Sequence, residues 1–171
     1  RHSFPTRRSS DLKPSIIRGN ASEIIALAGL WGLEGGSDTS DVRGVDSTDS
    51  VRSAAPAAVA VARWTGGAVA ISGEEDLITD GRQLVFSQGG SEMMPCITGT
   101  GCSLGGVMAV YAAVADPFIA AITGSAVYNL AGTRAAAHAK GTGSFQTEFI
   151  DELYVATPDA IAQNPLIVEE V

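Results

Sequence analysis

A cluster of glycines precedes a helix-forming segment in the sequence Thr98-Gly99-Thr100-Gly101-Cys102-Ser103. Glycine lets the backbone approach a ligand closely, and the free N–H groups at a helix start favour an anion. We therefore expect phosphate binding here, although glycine pairs alone also suit an ordinary helix entry. Two common phosphate motifs are excluded. A Rossmann G-x-G-x-x-G would need glycine where Leu104 stands, and the Gly-Lys-Ser/Thr of a P-loop does not occur.

Cys102 lies at the start of the same helix, where the helix dipole favours a thiolate. A thiolate there could take a proton from a substrate hydroxyl or stabilise the site electrostatically. Position alone favours the alternative, a small buried apolar residue. Only one other cysteine, Cys96, and two histidines occur, so neither a disulfide framework nor a zinc site is expected, and we predict a reducing cytoplasm as the location.

Two oxygen-bearing side chains, Asn20 and Glu23, stand three residues apart at the start of another predicted helix. An amide and a carboxylate so placed can hold hydrated Mg²⁺, which prefers oxygen ligands. The same spacing also fits a capping box, with Asn20 as N-cap and Glu23 at the third helical position. The residues do not separate these alternatives, and both can hold together.

Arg18 and Ser72 each stand at the end of a predicted strand. Ligands of α/β sheets bind at the carboxyl ends of strands, so Ser72 is well placed to contact a phosphate, or it is simply a turn residue. Arg18 is a cation at the end of the first predicted strand, and it could bind a nucleotide phosphate or pair with a nearby acid.

The elements that position these residues alternate between short apolar strands and helices. Four strands are predicted at 15–17, 68–71, 77–79 and 84–86, with a hairpin turn at Asp80-Gly81. Helices are predicted at 21–31, from a cap at Ser47-Thr48-Asp49 to about residue 66, from about residue 102, at 117–140, and around Phe145, Phe149 and Leu153, with a short final turn opened by Thr157-Pro158-Asp159. This is an α/β layered pattern with mixed strand directions.

Composition narrows the class of protein. The 171 residues are 45% hydrophobic and 18% charged, which suits one globular domain. A net charge of −8 argues against nucleic acid or an anionic membrane as partner. No apolar run is long enough to span a bilayer. Residues 1–12 resemble the translation of a sequencing adapter, so we expect them to be a non-native leader. Residues 13–171 are then expected to be the C-terminal portion of a domain whose gene sequence starts in the middle.

Several stretches, in order, resemble the hydroxyethylthiazole kinase family: KPSIIRGNASEI at 13–24, GVDS at 44–47, SGEED at 72–76, TDG at 79–81, ITGTGCSL at 97–104 and GTGSF at 141–145. The resemblance covers essentially all of residues 13–171. It implies a ribokinase-like fold with helices on both faces of the sheet, and a missing N-terminal part. It also implies transfer of a phosphoryl group from ATP to the alcohol of 4-methyl-5-(2-hydroxyethyl)thiazole in thiamine biosynthesis or salvage.

The resemblance further implies residue roles. Arg18 and Ser72 would contact ATP, Gly99 would lie against the substrate, and Asn20 with Glu23 would organise Mg²⁺. The anion hole would be Gly99-Thr100-Gly101-Cys102, with Cys102 where related sugar and pyrimidine kinases have an aspartate base. A thiol is the weaker base, so Cys102 is expected to assist while positioning and charge neutralisation carry most of the rate. Members of the family are homotrimers, with sites at subunit interfaces.

Two alternatives remain open. One is another ribokinase-like enzyme, a hydroxymethylpyrimidine kinase or an ATP-dependent dehydratase of hydrated nicotinamide cofactor, where Asp would be expected in place of Cys102. The other is a non-catalytic fragment that binds nucleotide weakly or misfolds because its sheet is incomplete, which exposed apolar surface would indicate.

Overall fold

The computed structural model of the chain describes residues 13–36 and 50–171. In chain order these residues form β1 (Ile16–Gly19), α1 (Ala21–Leu30), α2 (Ala55–Thr65), β2 (Ala68–Ile71), β3 (Asp76–Thr79), β4 (Gln83–Ser87), α3 (Thr100–Ala112), α4 (Pro117–His138), α5 (Thr142–Val155), α6 (Pro158–Ala162) and β5 (Leu166–Glu170). The predicted α/β pattern is confirmed. The GVDS stretch at 44–47 and the leader at 1–12 lie outside the described residues.

The five strands form one mixed sheet in the order β1-β2-β3-β4-β5. Strands β1 and β2 are parallel, with Arg18 opposite Ala70, and every other pair is antiparallel. The β1–β2 connection passes through helices, as a parallel pair requires, whereas β3 and β4 need only a tight turn. Gly81 has a φ of 88° in that turn, and Asp80 Oδ1 accepts from the amides of Arg82 and Gln83. The predicted hairpin is therefore confirmed.

Helices cover both faces of the sheet, as predicted. Alternate strand residues point to opposite faces, so neighbours such as Ala70 and Ile71 belong to two separate cores. The first core packs against α3, α4 and α5, and the second packs against α1 and α2. Each face thereby removes its apolar strand residues from water, which is the main stabilising contribution to such a layered fold.

Helix α2 begins later than the sequence predicted. Its N-cap is Ala54, which makes no side-chain capping bond, and Pro56 stands in the first turn. Residues 51 to 54 form turns, so the helix does not extend back to the predicted start at Ser47-Thr48-Asp49, and those three residues lie outside the described part of the chain. Proline fits a first turn, where its missing N–H is not needed, and it starts the helix without a polar cap. The helix ends at Gly66, which has a φ of 74°, as the sequence indicated.

The C-terminal helices confirm their predicted apolar spacing. In α3, Leu104 and Met108 are buried, while Val107 and Tyr111 pack against the same core. Helix α4 starts behind Asp116, whose side chain accepts from the amides of Phe118 and Ile119. In α5 the aromatic rings at 145 and 149 are buried. None of the helices in the described part of the chain is long and apolar enough to cross a membrane.

Strand β5 is the element that the sequence did not predict. All five of its residues are exposed, and it pairs only with β4, where Val168 lies opposite Val85. Two of its residues are glutamates, so it lacks the apolar pattern of a buried strand. Its structure comes from backbone pairing with a strand about 80 residues earlier, which local sequence does not reveal.

Candidate active site

Residues from distant parts of the sequence line a cavity of about 670 Å³ beside the ends of β1 and β2. The lining comes from β1, the turn after β2, the loop after β4, the start of α3 and the middle of α4. Six of the lining residues carry its chemistry: Arg18, Ser72, Asp76, Gly101, Tyr128 and Asn129. A second cavity of about 450 Å³, lined by Arg63, Asp80 and Asp116 among others, contains none of the predicted site residues.

Arg18 is held at the start of α3 by two contacts. Its Nε donates to Ser72 Oγ at 3.3 Å, and its guanidinium lies against the backbone of Gly101. A Cβ on Gly101 would lie 2.8 Å from Arg18 Nη1, so this close approach requires glycine. Arg18 forms no ion pair with a carboxylate of the described residues, so the nearby-acid alternative is not observed. Its cationic group and Ser72 both face the cavity.

The first turn of α3 is open to an anion. Gly99 is the N-cap, with a φ of 89°, and it supplies no side-chain cap. The amide of Ser103 bonds to Gly99 O, but no acceptor within the described parts of the chain reaches the amides of Gly101 or Cys102. Unpaired N–H groups at a helix start carry a partial positive charge. With the Arg18 guanidinium beside them, they fit a phosphate group.

Gly99 and Cys102 do not line the cavity, whereas Thr100 and Gly101 do. The space where a Cβ of Gly99 would stand is empty. Cys102 is exposed on the outer side of the same turn, so the buried alternative for this cysteine is wrong. Both cysteines are free thiols.

Asn20 and Glu23 form the capping box that their spacing allowed. The Asn20 amide donates to Glu23 Oε2 at 2.7 Å, and the Glu23 amide donates to Asn20 Oδ1 at 2.8 Å. Each side chain still has oxygen lone pairs available. No group of three potential metal ligands among His, Cys, Asp and Glu occurs in the described residues. A cation held here would therefore need water or a ligand to complete its coordination.

Asp76 is a site residue that sequence reasoning missed. It begins β3, is almost fully buried, and accepts from the Gly73 amide at 3.2 Å and from Asn129 Nδ2 at 3.2 Å. Burial raises the pKa of Asp76 from 3.8 to about 6, against the opposing effects of these hydrogen bonds and of the Arg18 charge. A carboxylate buried against such a penalty beside a cavity is typical of functional sites.

Two further missed residues come from α4. Tyr128 donates through its hydroxyl to Ser103 Oγ at 2.7 Å, which joins α4 to the first turn of α3. Desolvation by burial raises the pKa of Tyr128. Asn129 lines the cavity, and only 6% of its surface is exposed. Polar residues inside the otherwise apolar α4 were the signal that could have identified them.

A family model described as the hydroxyethylthiazole kinase family matches residues 1–159. The chain belongs to the hydroxyethylthiazole kinase family. Relatives carrying the name hydroxyethylthiazole kinase include one from Bifidobacterium longum strain DJO10A, 47% identical over 91% of this chain, and one from Leptospira interrogans (strain Fiocruz L1-130), 48% identical over 88% of it. A solved structure of a hydroxyethylthiazole kinase protein from Pyrococcus horikoshii covers 92% of the chain with a TM-score of 0.74 at 27% identity.

The chain spans about 55% of the length of these relatives, and 55% of the Pyrococcus chain. The match to the solved structure confirms the predicted fold. The family match thus includes every residue that lines the cavity. The full-length members of the family are longer polypeptides than this chain.

Proposed function

We propose that this chain carries the nucleotide site of a kinase that transfers the γ-phosphoryl group of ATP to the hydroxyl of 4-methyl-5-(2-hydroxyethyl)thiazole. One observation carries the proposal. The guanidinium of Arg18 lies against Gly101, beside the two unpaired amides of the first turn of α3. Phosphoryl transfer depends mainly on positioning and on neutralising charge, and this arrangement supplies both for a phosphate group.

The triphosphate would lie between Arg18 and the start of α3. Ser72 holds the Arg18 guanidinium through its Oγ and adds a hydroxyl to the same wall of the cavity. The turn that carries Ser72 is fixed by Asp76, which accepts from the Gly73 amide. A preformed wall of this kind avoids reorganisation when the charge moves from donor to acceptor oxygen.

The magnesium ion that accompanies ATP would be bound by Asn20 and Glu23, two and five residues after Arg18. Both side chains are oriented by the capping box, and both have oxygen lone pairs to spare. An amide and one carboxylate leave positions for water and phosphate oxygens, which is the mode that Mg²⁺ prefers. The ion would supply charge neutralisation on the phosphates.

Cys102 would act at the acceptor hydroxyl. It stands beside the unpaired amides at the exposed edge of the first turn of α3, and the backbone at Gly99 leaves open space there for a substrate. A thiolate in this place would receive the hydroxyl proton or stabilise its loss. We further propose a homotrimer in the cytoplasm, since the family resemblance implies the first and two free thiols are consistent with the second.

The assay that tests the function is ATP-dependent phosphorylation of the thiazole alcohol. We would measure it with the chain alone and with the chain extended by the part of the Bifidobacterium relative that it does not span. Cys102→Ala and Cys102→Ser would be compared in both forms, with hydroxymethylpyrimidine and hydrated NADH as competing substrates.

We expect turnover on the thiazole alcohol, reduced in Cys102→Ala by roughly 10²-fold, the scale of lost proton transfer. Turnover on the pyrimidine or the hydrated cofactor alone would show that the proposed substrate is wrong, and it would leave the proposed phosphate site unchanged. Exposed apolar surface and no ATP binding in either form would favour the non-catalytic fragment.

A further inference from the structure

Asn129 joins three walls of the cavity. Its Nδ2 donates to Asp76 Oδ2 at 3.2 Å and to Ser87 Oγ at 3.1 Å, so the amide contacts the start of β3 and the end of β4. Its backbone carbonyl accepts from the Gly90 amide at 3.0 Å, which fixes the glycine loop after β4. All donors of the side chain are therefore used inside the protein.

The orientation of the Asn129 amide follows from these contacts. An ionised carboxylate accepts hydrogen bonds and donates none, so Asp76 requires the NH₂ group of Asn129 on its side. Ser87 also receives a hydrogen bond from Asn164 Nδ2, at 3.2 Å. With the NH₂ group fixed in this way, Oδ1 must be on the opposite side of the amide.

Asn129 Oδ1 faces the cavity wall formed by Gly90 and Met94. A Cβ on Gly90 would lie 3.3 Å from this oxygen and 3.1 Å from Met94 Sδ, and both residues line the cavity. No donor from residues 13–36 or 50–171 reaches Asn129 Oδ1. No side-chain N or O atom of the described residues is both fully buried and unpaired, so this oxygen is accessible from the cavity, where a donor from a ligand can reach it.

The chemistry of the cavity restricts that donor. Arg18 and the amides of α3 would hold the phosphates, and phosphate oxygens at neutral pH are acceptors. The donors of a nucleotide are on its nucleoside part, namely the ribose hydroxyls and the amine on the purine ring. We propose that Asn129 Oδ1 accepts a hydrogen bond from the nucleoside part of the bound nucleotide and thereby determines nucleotide specificity. The inference rests on the proposed nucleotide site.

Binding of a nucleotide panel to the 171-residue chain tests this directly. Calorimetry would give the dissociation constants of ATP, 2′-deoxy-ATP, 3′-deoxy-ATP and ITP, each of which after the first lacks one donor. One analogue is expected to bind about tenfold more weakly than ATP, because the acceptor in the cavity wall then loses its hydrogen bond to the ligand. Weaker ITP binding would identify the amine, and weaker binding of a deoxynucleotide would identify the hydroxyl.

Three variants separate recognition from structure. Asn129→Ala removes the acceptor and is expected to bring the ratio between that analogue and ATP close to one. Ser87→Ala perturbs the same buried network but keeps Asn129 Oδ1, so the ratio should persist. The exchange Asp76→Asn with Asn129→Asp keeps an amide–carboxylate pair and returns an acceptor oxygen to the cavity, so it should also preserve the ratio.

Equal binding of all four nucleotides by the unmodified chain would overturn the inference without any variant. So would a ratio that persists in Asn129→Ala. If Asn129→Ala does not fold, the binding ratios of the unmodified chain and of the exchanged pair still test the inference. Absence of any ATP binding would instead overturn the proposed nucleotide site itself, and the inference with it, so the two failures are distinct.

Discussion

The starts of α1 and α3 both have free backbone N–H groups to satisfy, and the two helices treat these groups in opposite ways. At α1, Asn20 and Glu23 exchange two hydrogen bonds and close the first turn. At α3, Gly99 offers no side chain, and the amides of Gly101 and Cys102 have no acceptor from the described residues. Every helix start must satisfy its N–H groups in some way. The difference is that α1 is closed by its own sequence, whereas the first turn of α3 leaves two amides open for the proposed phosphate.

The largest expected effect on ATP binding comes from adding a methyl group at the open helix start. In Gly101→Ala the new Cβ would displace the Arg18 guanidinium, because the two would be 2.8 Å apart. The loss of its charge-assisted contact should weaken ATP binding by roughly 10- to 100-fold. Arg18 is flexible at its far end, so the fold should survive. Calorimetric titration with ATP measures the effect.

Gly105→Ala is the matched control for that substitution. It adds the same methyl group one turn further along α3, where the new Cβ would meet no atom within 4 Å beyond its chain neighbours and its own helix backbone. It should leave ATP binding unchanged and increase stability by up to about 1 kcal/mol, since alanine favours a helix. Equal loss of binding in both variants would show that Arg18 is not the cause.

A second prediction concerns Asp76, whose carboxyl is closed off by protein donors beside the cavity. Its pKa is 3.8 in the unfolded chain and about 6 in the folded one, so the folded state binds the proton more tightly. The resulting stability is fully present below pH 3.8 and is lost as the pH rises through about 6. The loss should amount to about 3 kcal/mol at most.

Asp76→Asn should remove this pH dependence, so that its free energy of unfolding is nearly the same at pH 5 and pH 8. Urea unfolding at pH 5 and pH 8 measures it. Asp80→Asn is the control, since that carboxyl only caps the exposed hairpin turn. A loss of stability at pH 8 in Asp76→Asn would mean that its hydrogen bonds outweigh the burial penalty.

The smallest effect is expected at helix starts that the protein closes by itself. Asp116→Ala removes the cap of α4, which should lower the free energy of unfolding by about 1 kcal/mol. ATP binding should not change, because Asp116 does not line the cavity that contains Arg18. Asp116→Asn should cap nearly as well. A change in ATP affinity with either substitution would contradict the separation between closed and open helix starts.

Local sequence predicted most of the fold because four strands and five helices carry clear periodicity or turn signals. It failed at β5, where Leu166–Glu170 is exposed and gains its structure from pairing with a distant strand. It also failed at the start of α2, because Pro56 begins the helix without a polar cap. Only the first error concerns a feature that local pattern does not encode, since proline is itself a local signal of a helix start.

For the site, sequence identified residues at strand ends and helix starts. Arg18, Ser72 and Gly101 do converge on one cavity, as their positions indicated. Asp76 and Asn129 were missed since their importance comes from a contact across 53 residues between β3 and α4. An asparagine within an apolar helix was visible in the sequence, but its partner was not. The roles of the cavity residues in binding and catalysis stay predictions.

The most direct test of the account follows backbone amides by NMR while ATP is added to the ¹⁵N-labelled chain without Mg²⁺. Large shifts are expected for the amides of Gly101 and Cys102, which have no acceptor among the residues that the structure describes, and little change is expected for the Glu23 amide, which donates to Asn20. Adenosine, which lacks phosphates, should not move the α3 amides. Shifts at Glu23 with none at Gly101 and Cys102 would contradict it.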